Sequence, residues 1–504
     1  MACSSIRPPL TCETSSSCAW LASNRPESTI RTNRESTMNT ALHRDLARIL
    51  GEDGVASDTE TLVRFGGDAL GAYRAFRATS QLDSRAAAVA WPTDSGQVTG
   101  LLRYANSNRI PVVPYGAGTG VMGAAVSADG AIVLNLQRMN NILDVSAGDF
   151  TARTQPGVIL EDAHAAMKSE GLRLGHDPWS RPIATVGGAI STDGVGYTAA
   201  AHGPMGDQVL GLEVVLADGE TIRTRAVPKS SYGPSLERLF IGSEGTLGVI
   251  TEATIKAFRR PESRVMRSFV FPEFEAGFEA IVAMQAEGVS PAVMDYGDEP
   301  AGGGAPEATL YVSFEGFAAH VETHVAQAES VCTRHDGRDG EPGEVEQYWR
   351  TRHSSAERYR EEVLNSPDPA ARRLRRSSYR MDYLHMALPI SQVLEYRRRC
   401  ALILEERDIG VREWSVWGRP EFFSMLIVDE RGSDAPESRN MEQTIDAVLT
   451  LAQDMGGTME YCHGIGLKLA HLTPAELGSG YKPARDIKAA LDPNGILNPG
   501  KLLG

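Results

Sequence analysis

The chain runs to 504 residues, 42% of them hydrophobic and 23% charged, with a formal net charge of −15. That length exceeds what one hydrophobic core serves, so two or three domains are expected, and the composition is that of an ordinary folded protein. The acidic balance gives no electrostatic reason to expect nucleic acid as a partner. Six irregularly spaced cysteines without a CxxC pair build neither a disulfide scaffold nor a zinc site, and no apolar run approaches the ~20 residues that span a bilayer. A reducing, cytoplasmic setting is expected.

Residues 1–37 are rich in Ser, Thr and Arg, poor in acids and without an apolar h-region, so they are no secretory signal. They read as a disordered extension, with a transit peptide as the alternative. A first domain is expected over 38–262. Thr93 to Ile110 has apolar residues at helical spacing behind a Thr-Asp cap, and Val112 to Tyr115 is a short strand. The glycine loop that follows, Gly118-Thr-Gly120-Val-Met-Gly123, fits a dinucleotide fingerprint, but its context differs from that of a Rossmann unit. The strand-like Ala131 to Leu136 comes too soon to leave room for a crossover helix. The pattern is strand, glycine loop, strand, in which backbone N–H groups alone would cradle an anion.

Further along, Val158 to Gly171 reads as a helix, and a second glycine loop spans Ala184 to Gly196. Leu210 to Thr224 reads as a hairpin turning at Asp218-Gly219, and Gly242 to Phe258 as a glycine turn and strand. After Pro261 a second domain is expected over 263–455. It holds strands near Phe269 and Ala308 to Gly316, a flexible loop at Ala301 to Pro306, an Arg-rich helical stretch from Val345 to Arg376, the strand Glu421 to Glu430 and a helix near Met441 to Met455. The basic runs Arg372 to Arg376 and Arg397 to Arg399 read as solvated helix faces. Residues 456–504 form a closing segment.

Four blocks carry a resemblance: the first glycine loop, Gly175 to Gly196, Gly242 to Thr251, and the terminal Asp492 to Lys501. Taken in this order and spacing, the chain resembles the FAD-binding oxidoreductases of the vanillyl-alcohol oxidase and p-cresol methylhydroxylase type from about Arg85 onward. It is most similar there to the glycolate oxidase and D-lactate dehydrogenase branch and to alkylglycerone-phosphate synthase. The resemblance implies an α+β protein: an FAD-binding domain of two α/β subdomains, an α+β cap with an antiparallel sheet, and a C-terminal segment returning to the FAD domain to complete the active site. It further implies that Pro114, Gly116, Gly118, Thr119 and Gly120 hold the FAD pyrophosphate. Thr185, Gly187, Gly188 and Ser191 would line the flavin with Asp177 and Ser180 beside them, Glu244 and Ile250 would meet the adenosine end, and Lys501 would stabilise charge at flavin N1. Thr119-Gly120 stands where related chains carry an attachment histidine, so FAD is expected to be non-covalent.

Oxidation of an alcohol at a flavin needs a base, and His463 in the block Glu460 to Lys468 resembles the histidine of the family's HGIG element. Tyr461 and Lys468 are candidates to polarise the substrate oxygen. Arg352, in Trp349-Arg-Thr-Arg352, matches the family's carboxylate-binding Trp-x-x-Arg element, and the strand-like Asp382 to Ser391 its cap strand. Metal-dependent members carry Glu before that histidine and a His-rich cap element. Here Cys462 and Trp414 to Leu426 stand in those places, so no metal is expected. The expected activity is hydride transfer from an alcohol or 2-hydroxy acid to flavin N5. The alternatives are an alkylglycerone-phosphate synthase-like exchange and a non-catalytic flavin-binding protein with Trp414, Trp417 and Arg419 on an interaction face. Expected partners are a small-molecule substrate and an electron acceptor such as oxygen, a quinone or a cytochrome; a homodimer is one open assembly.

Overall fold

The computed structural model describes residues 40–298, 307–341, 343–372, 380–431 and 438–503. The expected extension over 1–37, the loop at 301–306 and positions 373–376 of the first basic run lie outside the described residues. The chain is an α+β protein whose described residues form three large hydrophobic cores and two small clusters. The first belongs to a four-stranded sheet in the order Val55–Ala56, Ala88–Ala90, Ile132–Asn135, Val112–Tyr115, whose last three strands are parallel. Asp94 caps the Ser95–Asn108 helix by accepting from Gln97 N at 2.9 Å, and the helix buries Val98, Leu101, Leu102 and Ala105 against this sheet. Between the parallel strands Val112–Tyr115 and Ile132–Asn135 there is no helix, only the glycine loop expected from the sequence.

The second core lies under an antiparallel sheet in which the long strand Val249–Arg259 pairs with Thr151–Thr154, Leu172–Leu174 and Val209–Val215. The Asp218-Gly219 hairpin forms as the sequence implies, with Gly219 at φ +79. The second glycine segment is only partly a loop. Thr185 accepts from Gly188 N and starts a short helix, Val186–Thr192, because Val186, Ala189 and Ile190 at helical spacing all reach the second core.

The chain crosses at residues 260–262 into a seven-stranded antiparallel sheet in the order Arg338–Asp339, Ser263–Phe271, Ala308–Gly316, Val293–Asp298, Gly410–Trp417, Phe422–Asp429, Arg380–Ala387. Helices Phe274–Ala286, Ala318–Arg334, Val393–Glu406 and Ser438–Asp454 cover one face with the third core. Alternation sends Met294 and Tyr296, Leu310 and Val312, Leu384 and Met386 into that core. The intervening Asp295, Tyr311, Tyr383 and His385 face a cavity beneath the sheet. Arg397 is not solvated as its run implied: it pairs with Glu275 and Asp298 and lies 4.6 Å over Phe274, whereas Arg398 is exposed beside Glu395.

The C-terminal segment returns to the first sheet. Val112 N donates to Ile496 O and Asn498 N to Val112 O, while the Asn498 amide donates to Ala124 O at 2.9 Å and Glu244 O at 2.7 Å. The terminal Asp-Pro-Asn-Gly-Ile-Leu-Asn block therefore staples the first glycine loop to the Glu244 turn.

Candidate active site

A cleft of about 1270 Å³, the open solvent at its mouth included, runs between the first two sheets. Of the residues expected to hold FAD, Pro114, Gly116, Gly118, Thr119, Gly120, Ser180, Thr185, Gly187, Gly188, Ser191, Glu244 and Ile250 line it. The glycines are dictated by space. A Cβ on Gly116 would sit 2.5 Å from Thr185 Oγ1, one on Gly187 2.6 Å from Pro156 Cβ, and one on Gly118, at φ +64, would strike Tyr115 and Arg372. A long cleft walled by bare backbone from two loops fits the elongated, flat and anionic FAD molecule.

The charges around the cleft suit the same ligand. Burial pushes the Asp68 carboxyl up to about 6 and that of Glu244 up to about 7, which lowers the negative charge of the wall near neutrality. Arg372 lies behind the first loop, donating to Gly67 O at 3.1 Å and Ala117 O at 3.2 Å, so this member of the first basic run is half-buried and paired rather than fully solvated. Glu244 does more than line the cleft. Its carboxylate accepts from Ile465 N at 2.5 Å and Gly466 N at 2.9 Å, clamping the turn just after His463.

Two expected FAD contacts do not face the cleft. Lys501 is buried beneath it and donates to Val126 O at 2.7 Å, with Asp68 and Glu244 as its neighbouring charges. Asp177 turns the other way and accepts from Arg181 at 2.8 Å, His353 at 2.8 Å and Arg352 at 3.0 Å. Although burial opposes it, this set of donors holds the Asp177 carboxyl well below the usual carboxylate range.

Beneath the cap sheet lies a larger cavity of about 3170 Å³, its mouth included. Cleft and cavity share Val121, Pro178, Trp179, Val195, Cys462 and His463, so His463 stands where a ligand in one meets a ligand in the other. Its side chain keeps 21% exposure, and burial, Arg74 and Lys468 together hold its imidazole down at about 3. The ring is therefore neutral near pH 7, and placing a proton on it costs free energy unless a counter-charge joins it.

The other expected catalytic residues are placed differently. Lys468 is 3% exposed, paired with Asp382 and outside the cavity lining; Tyr461 is likewise outside it, its hydroxyl 2.9 Å from Ser424 Oγ. Both lie behind the site: Lys468 turns to Asp382, and Tyr461 stacks on Phe422. Arg352 is not among the cavity-lining residues: its guanidinium is held by Asp177 and Trp349. The guanidinium that does line the cavity is Arg74, which donates to Asp382 Oδ1 at 2.7 Å and keeps a buried Nε without a partner. Nothing in the sequence marks Arg74, which sits on a one-turn 3-10 helix, Ala72–Arg74. His385 was also missed, though the alternation in Arg380–Ala387 could have placed it on the cavity face. Its ring lies 4.5 Å from that of His463 and its Nδ1 2.8 Å from Ser424 Oγ. Among the described residues no group of three or more His, Cys, Asp or Glu is arranged to hold a metal ion, and no helix is long and apolar enough to cross a membrane.

Comparison with known proteins agrees with this layout. Residues 86–225 match the FAD binding domain, and residues 260–502 match the C-terminal domain of FAD linked oxidases. The chain is 31% identical over 441 residues to glycolate oxidase subunit GlcD of Bacillus subtilis, covering 85% of this chain and 91% of that protein. It is 28% identical to the probable mitochondrial D-lactate dehydrogenase of Danio rerio, covering 82% of this chain and 84% of the relative. A solved alkyldihydroxyacetonephosphate synthase superposes with a TM-score of 0.72 at 17% identity, over 91% of this chain and 85% of that one, which speaks to the fold.

Proposed function

The chain belongs to the family of FAD-linked oxidases, and from that premise we propose that it oxidises a 2-hydroxy acid to the 2-oxo acid with non-covalently bound FAD. The observation that carries the reading is the placement of His463 at the junction of cleft and cavity with Arg74 on the cavity wall. When bound, FAD supplies the acceptor for the substrate hydride. The two glycine segments hold the cofactor through their backbones, and His463 takes the hydroxyl proton. Arg74, fixed on one side by Asp382, presents its remaining guanidinium edge to the substrate carboxylate. The relatives named for glycolate and D-lactate support the hydroxy-acid class. A cavity this large admits a side chain bulkier than that of either acid.

The residues expected at the FAD pyrophosphate, the flavin and the adenosine end that line the cleft keep those roles in this proposal. Lys501 and Asp177 support the cleft from behind. The described cysteines Cys332, Cys400 and Cys462 are free thiols, which supports a cytoplasmic location; the electron acceptor and a homodimeric assembly rest on the family alone. The test is anaerobic flavin bleaching across a panel of D- and L-2-hydroxy acids of increasing side-chain size, with simple alcohols as controls. Bleaching by the hydroxy acids and not by the alcohols is the expected result; bleaching only by alcohols lacking a carboxylate would remove the substrate class.

A further inference from the structure

The turn that carries His463 also carries an acid three residues upstream. Glu460 is 3% exposed, and its Oε1 accepts from the backbone N–H of Cys462 at 2.7 Å and of His463 at 2.8 Å. Its other oxygen, Oε2, lies 4.0 Å from His463 Nδ1, a buried nitrogen without a hydrogen-bond partner. With Nδ1 turned to Glu460, Nε2 is the nitrogen left for a substrate. We infer that Glu460 is the positioning partner of His463, a carboxylate that receives Nδ1–H, fixes the ring with Nε2 toward the substrate hydroxyl, and makes the two residues one proton-accepting dyad.

The inference rests on His463 being the base of the proposed oxidation. In that step the substrate O–H bond breaks and its proton passes to His463 Nε2. The C–H bond breaks with its hydride going to the bound flavin, and the carbonyl forms. The ring thereby becomes cationic in a pocket that already holds Arg74 and Lys468, so a counter-charge at Nδ1 lowers the cost of forming it. The 4.0 Å separation needs to close by about 1 Å, the kind of tightening that substrate binding brings to a resting site.

Glu460 faces Lys468, Asp382, Arg74 and His463, and its chain neighbours Tyr461 and Cys462. Burial pushes its carboxyl up to about 8, against the two backbone N–H bonds and Lys468. The acid therefore holds its own proton near neutrality and gains the charge that can accept Nδ1–H as the pH rises through about 8. Flavin reduction should accelerate over that interval.

Glu460→Gln separates this role from simple support of the turn, since an amide oxygen still accepts the two backbone N–H groups but takes no charge. Measured above pH 8, where the wild-type acid is ionised, anaerobic flavin reduction in the FAD-loaded variant should fall on the order of 10²- to 10⁴-fold, as when a histidine base loses its carboxylate partner, whereas near neutrality variant and wild type should run closely together. The dissociation constant of an unreactive 2-oxo acid should stay unchanged, and the rise near pH 8 should vanish. A wild-type rate above pH 8, or a pH rise that survives in Glu460→Gln, would overturn the dyad. A second measurement covers a variant that fails to fold or load. Difference infrared spectra of the wild-type holoenzyme should show a protonated carboxylic acid lost near pH 8, with its midpoint shifted in His463→Ala; an unmoved midpoint also overturns the inference. This titration needs no substrate, so a panel in which no hydroxy acid bleaches the flavin would end the substrate reading and leave the dyad still decided.

Discussion

Arg352 donates from Nε to Asp177 Oδ2 at 3.0 Å while its guanidinium carbon lies 3.8 Å from the ring centroid of Trp349. This pairing joins the short helix Glu344–Thr351 to the loop preceding the second glycine segment. The Trp-x-x-Arg spacing is thus used to seat the arginine on its own tryptophan and to close the wall of the FAD domain. Removing the arginine leaves Asp177 with Arg181 and His353. Arg352→Ala should cost about 1.5 kcal/mol, the loss of one hydrogen bond to a charged group that keeps its other partners, and lower the melting temperature. The Michaelis constant for a hydroxy acid should hardly move; a large rise with unchanged stability would return Arg352 to the substrate.

Gly116→Ala tests the cleft. Its Cβ would stand 2.5 Å from Thr185 Oγ1 and 3.9 Å from Gly188 Cα, which narrows the gap between the two glycine segments. FAD affinity should drop by at least about tenfold, roughly 1.4 kcal/mol, measured by flavin fluorescence on dilution, while the cap retains its fold. Unaltered FAD retention would show that the cofactor does not pass between Gly116 and Thr185.

The glycine segments, the Asp218-Gly219 hairpin and the strands were legible because glycine spacing and alternation are local signals. The cap sheet's cavity face was legible in principle, since alternation in Arg380–Ala387 sets His385 opposite Leu384 and Met386. Arg74 was not: its place on the cavity wall depends on Asp382, 308 residues away in sequence. The placement of Asp177 and Lys501 behind the cleft was not legible for a related reason. Resemblance placed them near the flavin, but side-chain direction is set by partners from other elements, Arg352 and His353 in one case and Val126 in the other.

Stability should respond to pH through Glu244. Burial raises its carboxyl from an ordinary 4.5 to about 7, so between these values the folded chain binds the proton more often than the unfolded chain does. By linkage this contribution is favourable at low pH and is lost as the pH rises from 4.5 through 7. Glu244→Gln keeps an acceptor for Ile465 and Gly466 N–H and removes the titration. The melting temperature of the variant relative to wild type should therefore climb across that window and level off above it. A difference that stays flat with pH would show that Glu244 is ionised throughout.

His463→Ala removes the proposed base without touching the glycine segments. FAD should remain bound, and anaerobic flavin reduction should slow by about 10²- to 10⁴-fold, the usual contribution of a general base. The imidazole sits at about 3, so in wild type its own protonation should leave the rate untouched down to mildly acidic pH. A steep loss of rate near pH 6.5 would mean that the ring titrates as an ordinary histidine.

Arg74 and Arg352 make opposite predictions for carboxylate recognition. Arg74 lines the cavity, is 13% exposed and is oriented by Asp382, which Lys468 also holds. Arg74→Lys keeps the charge but loses the planar fork that matches a carboxylate. It should weaken binding of a 2-hydroxy acid and of its 2-oxo product by about 10- to 100-fold, the loss of one or two charge-assisted hydrogen bonds. A neutral alcohol of the same size should be affected far less, since it has no carboxylate to lose. Lys468 remains to balance Asp382, so the fold and FAD content should survive. Equal effects on acid and alcohol would show that Arg74 shapes the cavity rather than reading charge, and an effect confined to Arg352→Lys would reverse the assignment of the two arginines.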